Sequence, residues 1–88
     1  MRYSYNDIRV EVHSSALKHG IARDDILAAA SAYLVAYSLG DEHPARELRL
    51  GFTQSGQLLE VVVLVFDQGS ELVIHAMKAR RSYFDLLP

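Results

Sequence analysis

The chain has 88 residues, half of them hydrophobic, with nine Lys+Arg against eleven Asp+Glu and a formal charge of −2. This size supports one domain, residues 1–88, with a single small core, and high apolar content with low net charge argues against disorder. The lack of cysteine excludes a disulfide framework, a thiolate zinc site and a cysteine nucleophile, and the near-neutral balance means that any contact with nucleic acid must rest on a local basic patch.

Residues 1–7 carry no apolar run after Arg2, so a signal peptide is not expected. Residues 8–12 alternate as an edge strand. Ser14 and Ser15 can cap a short turn, Ala16-Leu17-Lys18-His19, which Gly20 ends. Asp24 and Asp25 sit where a helix start favours negative charge, and Ile26, Ala30, Tyr33, Leu34 and Tyr37 recur at helical spacing. Residues 14–39 therefore read as helix, closed by Gly40 and the loop Asp41-Glu42-His43-Pro44. The apolar stretch Ile26 to Leu39 is 14 residues long, short of the roughly 20 that a membrane-spanning helix needs. A soluble, cytoplasmic protein with no membrane partner is expected.

Residues 46–78 read as a meander of three strands. Residues 46–53 alternate, with Leu48, Leu50 and Phe52 pointing one way. Ser55-Gly56 signals a turn. Residues 58–66 are apolar on both faces except Glu60, which fits a central strand. Asp67-Gln68-Gly69-Ser70 is a second turn, and a third strand follows from Glu71 to Lys78. Residues 80–87 form a short amphipathic helix. The expected architecture is α+β: N-terminal helices on one face of an antiparallel meander of three to four strands, with a short C-terminal helix.

Two-residue hairpin loops at Ser55-Gly56 and Gln68-Gly69 align Leu50, Val61 and Ala76 on an apolar face that receives the helix. The opposite face then carries the row Arg49, Val62, His75 beside the row Gly51, Glu60, Met77. A one-residue slip in either hairpin breaks this arrangement. His75 reads either as a half-buried strand histidine satisfied by a neighbour or as a general acid/base, for which imidazole's reference pKa of about 6.5 is suited. His19 reads either as a group stabilised by a helix C-terminus or as one facing substrate. Lys78, Arg80 and Arg81 are a solvated rim or a phosphate-binding patch; Arg49 is paired with Glu60 or Glu47, or serves that patch. The four histidines lack metal-ligand spacing, and no cofactor motif is present.

Lys18-His19-Gly20-Ile21 followed by a helix resembles the Lys-His-Gly-(Val/Ile) signature of BrnT-like toxins. Arg46-x-Leu48-x-Leu50-Gly51, Gly56-x-Leu58-Leu59-Glu60-Val61-Val62 and Ile74-His75-Ala76-Met77-Lys78-Ala79-Arg80 are similar, in order, to that family's later segments. The resemblance covers residues 17–87. It implies a toxin of a type II toxin–antitoxin pair with a RelE/ParE-like fold, ribonuclease activity that inhibits translation, and neutralisation by a small DNA-binding antitoxin. It assigns the family's polar positions to His19, to Arg49 or Arg46, and to Arg80.

The expected chemistry is metal-independent and cofactor-free RNA cleavage, in which the substrate's own 2′-hydroxyl attacks the adjacent phosphate. His75 or His19 takes the proton. Arg49 and Arg80 stabilise the developing charge, while Arg46, Lys78 and Arg81 hold substrate. The competing reading is a non-catalytic domain of the same fold that binds a partner protein or dimerises. Residues 1–42 hold four basic and six acidic residues, and residues 43–88 five of each, so a basic patch near the end of the sheet is compatible with an acidic chain.

Overall fold

A computed structural model describes residues 9–88. Ile8 and the opening segment considered for a signal peptide lie outside the described residues. In chain order the elements are β1 (Val10–Val12), a 3-10 turn (Ser14–Leu17), α1 (Arg23–Ser31), β2 (Tyr33–Ser38), β3 (Ala45–Phe52), β4 (Leu58–Val65), β5 (Glu71–Lys78) and a 3-10 segment (Arg81–Leu86). The five strands form one sheet in the order β1-β5-β4-β3-β2. β1 runs parallel to β5, and the other pairs are antiparallel. This corrects the expected architecture: among the described residues, one α-helix packs on a mixed five-stranded sheet.

The helix expected to reach residue 39 stops at Ser31. Leu27-Ala28-Ala29-Ala30 is strongly helix-forming, but Tyr33-Leu34-Val35-Ala36-Tyr37 is rich in aromatic and branched residues that suit a pleated surface. That run pairs with β3 as an edge strand. The N–H of Ala32 still bonds the carbonyl of Ala28 at 2.9 Å, closing the last helical turn before the chain extends. At the C-terminus the expected helix is a shorter 3-10 segment with no buried residue.

Both hairpins close over three residues instead of two. The N–H of Thr53 bonds the carbonyl of Gln57, and that of Gly56 bonds the carbonyl of Thr53. Gly56 has φ +92. A turn followed by a left-handed glycine is the usual three-residue solution. Gly69 (φ +100) plays the same part between Phe66 and Ser70. The extra residue shifts β3 by one position: Arg49 pairs with Val61, and Leu48 with Val62. In β5 a bulge at Ile74 absorbs the shift, so His75 still pairs with Val62 and Met77 with Glu60.

The slip sorts the sheet's faces differently from the sequence expectation. Leu59, Val61, Val63, Val73 and Ala76 share the core with Ile26, Ala29 and Ala30 of α1 and with Val12 and Ala16. Gly51 lies beneath the helix, where an added Cβ would fall 2.3 Å from the carbonyl oxygen of Ala29. Leu48, Leu50, Glu60, Val62, His75 and Met77 belong to the second face. Over that face the terminal segment is tied down by the Tyr37 hydroxyl, which donates to the carbonyl of Leu86 at 2.9 Å.

Candidate functional site

The second face carries a cluster of His19, Glu60, His75, Arg80 and Tyr83. Glu60 sits mid-strand in β4, only 1% exposed. Its carboxylate accepts four hydrogen bonds. Oε1 takes the backbone N–H and the Nε–H of Arg80, both at 3.0 Å. Oε2 takes Arg80 Nη2 at 2.8 Å and His75 Nε2 at 3.0 Å. Burial raises the pKa of Glu60, but the hydrogen bonds from Arg80 and His75 outweigh it, and the carboxyl is held below its ordinary value. Glu60 in turn raises the pKa of Arg80.

Arg80 opens the terminal 3-10 segment, so Tyr83 stands above it one turn later. The guanidinium lies over the Tyr83 ring, 5.2 Å from its centre. Arg80 turns one fork to Glu60 and remains exposed; its Nη1 makes no hydrogen bond among the described residues.

His19 reaches the cluster through the 3-10 turn. The bulge leaves Ile74 without a partner in the β4 ladder, and its carbonyl accepts the Ser15 hydroxyl at 2.7 Å. That bond pins the turn to β5, and Gly20 (φ +80) bends the chain onward. The ring of His19 then meets that of His75 edge to face, with centres 5.6 Å apart and planes at 78°. His75 is partly open to solvent, its side chain 26% exposed.

The structure thus brings together His19, His75 and Arg80, and it places Arg49 elsewhere. Arg49 projects to the helix side and is buried. Its Nη1 donates to the carbonyl of Ala30 at 2.9 Å and to Glu71 at 2.8 Å, its Nη2 to Glu71 at 3.0 Å, and its Nε to Glu47 at 3.0 Å. Burial lowers its pKa, but the bonds to Glu71 and Glu47 prevail and the net direction is up. The guanidinium also lies 4.8 Å from the Tyr33 ring centre. Arg49 clamps α1 and β2 to the sheet, and the expected row with Val62 and His75 does not form. Arg46 is paired with Glu42 at 3.3 Å, near the opposite end of the sheet. Lys78 shares the helix side with Leu59 and is exposed, as is Arg81. Neither forms an ion pair among the described residues.

One member of the cluster, Tyr83, was not anticipated. Tyr83 had no signal beyond its spacing from Arg80. Glu60 is legible as the one charge in an apolar central strand, expected on the face that carries His75, where it is one of two partners offered for Arg49; the structure gives it to His75 and Arg80 instead. Among the described residues no group of three or more His, Asp or Glu side chains is placed to hold a metal ion. No helix among them is long and apolar enough to cross a membrane. Comparison with family models, with curated proteins and with solved structures finds no significant match.

Proposed function

We propose that this chain is a metal-independent endoribonuclease acting as the toxin of a type II toxin–antitoxin pair. The observation that supports it is the contact between His19 and His75 beside the exposed guanidinium of Arg80. Cleavage by internal transesterification needs a base, an acid and a cation at one phosphodiester. The 2′-oxygen attacks phosphorus and its proton passes to one imidazole. The bond from phosphorus to the 5′-oxygen breaks, and that oxygen receives a proton from the other imidazole. Arg80 stabilises the charge on the non-bridging oxygens. The products are a 2′,3′-cyclic phosphate and a 5′-hydroxyl. Arg81, the exposed neighbour of Arg80, adds positive charge next to the site, whereas Lys78 lies on the helix side of the sheet. The reading carries with it a cytoplasmic location, where translated RNA resides.

The test is induced expression with growth measurement and transcript-end mapping. The wild type is expected to arrest growth and create 5′-hydroxyl ends, and His19→Ala with His75→Ala to abolish both. Arrest and ends that persist in the double variant would exclude this chemistry.

The second reading, a protein-binding domain, is favoured by β2. This outer strand of the sheet exposes Tyr33, Leu34 and Tyr37, with Leu39 just beyond, and residues 32–40 carry no charge. Within the first reading the same strand is the seat for the antitoxin. Light scattering of the chain alone and with the product of a neighbouring short gene separates a homodimer from a toxin–antitoxin complex.

A further inference from the structure

A buried carboxylate on a central strand is expensive to desolvate, and such a charge is retained where its partners need it. Glu60 has two partners. Arg80 covers both carboxylate oxygens, and the remaining contact goes to one nitrogen of His75. An ionised carboxylate can only accept hydrogen bonds. The nitrogen that faces it, Nε2, must therefore carry a proton, and in the neutral ring the lone pair is left on Nδ1.

We infer that Glu60 is a positioning residue that fixes the neutral ring of His75 with its proton on Nε2, making Nδ1 the proton-accepting atom of the site. This deepens the ribonuclease reading and rests on it for the role of that atom. It assigns the base to His75 and leaves the acid to His19, which has no carboxylate partner among the described residues. When Nδ1 takes the proton of the 2′-hydroxyl, the resulting imidazolium faces a carboxylate through Nε2–H. The same contact that sets the tautomer thereby stabilises the charged product of the proton transfer. Arg80 serves a second purpose: by occupying both oxygens it keeps Glu60 ionised and oriented, so that the carboxyl does not itself donate to the ring.

The experiment is nitrogen-15 NMR of the histidine rings in the intact protein, at a pH where His75 is neutral, with cleavage of a short fluorophore-labelled RNA of mixed sequence measured in parallel. Wild-type His75 is expected to show a protonated Nε2 and an unprotonated Nδ1. In Glu60→Gln the amide oxygen takes the place of Oε1 and keeps its two bonds from Arg80. The NH2 group takes the place of Oε2, losing the Arg80 Nη2 bond and donating to the ring, so the tautomer inverts. For an active enzyme, kcat falls by roughly 10²-fold, while KM does not rise, because Arg80 loses its competing negative charge. A wild-type His75 protonated on Nδ1 overturns the inference whether or not the variant folds. An unchanged tautomer in a folded Glu60→Gln overturns it too. The expected tautomers in a protein that does not cleave RNA support Glu60's positioning role and overturn the ribonuclease reading instead.

Discussion

Arg49 and Arg80 each bind a glutamate, yet they do different work because of where those pairs sit. Arg49 is enclosed, with every bond directed at α1, β3 or β5. Its replacement by alanine leaves Glu71 and Glu47 without their partner, and the expected cost is about 3 kcal/mol of stability, read as a lowered denaturant midpoint. Under the ribonuclease reading, cleavage per folded molecule is expected to stay unchanged in the same variant. Arg80 is itself exposed but its partner Glu60 is buried. Under the ribonuclease reading Arg80→Ala is therefore expected to lose cleavage and also to lower the melting temperature, because the carboxylate keeps only the backbone N–H of residue 80 and His75. Glu60 also gives the fold a pH dependence with a definite sign. Its carboxyl has a lower pKa folded than unfolded. Its contribution is therefore complete above the unfolded value of about 4.3 and is lost as pH falls through the lower folded value. Chemical denaturation from about pH 6 down to about pH 3 should show that loss, and Glu60→Gln should flatten it.

Elements position these residues with little tolerance. Gly51 lets the backbone of α1 approach β3 so closely that Gly51→Ala forces the helix outward. The expected loss is about 1–3 kcal/mol, as for other overpacked cores, measured by thermal unfolding. Ser15→Ala removes the side-chain bond that, among the described residues, holds the 3-10 turn against β5. It should cost about 1 kcal/mol but lower cleavage by about tenfold, because His19 loses its register with His75. The meander itself was legible: alternation and turn residues place β3, β4 and β5 close to where they lie. The faces were not, since Ser55-Gly56 suits a two-residue or a three-residue loop; a positive φ at Gly56 is common to both, and it is Ser55, whose φ is not positive, that rules out the two-residue type I′ turn. One extra residue per loop sends Arg49 to the other side. His75 keeps its pairing with Val62 only because the bulge at Ile74 compensates, and nothing in Val73-Ile74-His75 announces a bulge. The short apolar run of β2 fits helical and extended spacing alike, and its pairing with β3 settled the matter.

At the scale of the whole molecule, the uncharged outer strand β2 is tied through the Tyr37 hydroxyl to the terminal segment that also carries Tyr83 of the cluster. A partner strand added to β2 is expected to protect the backbone amides of Ala36 and Ser38 from hydrogen exchange, and Leu34→Lys to weaken that complex without altering cleavage. The parallel pairing of β1 with β5 has a separate consequence, for timing. His19 lies just beyond the 3-10 turn that follows β1, and His75 belongs to β5, so the two imidazoles meet only when the first described strand of the sheet finds the last one. Contacts this distant along the chain form late in folding. Under the ribonuclease reading, a nascent chain that has not yet released β5 holds neither the histidine pair nor the pinned turn and is expected to be inactive. In refolding, cleavage should return with the slowest phase, after the β3–β4 hairpin has formed.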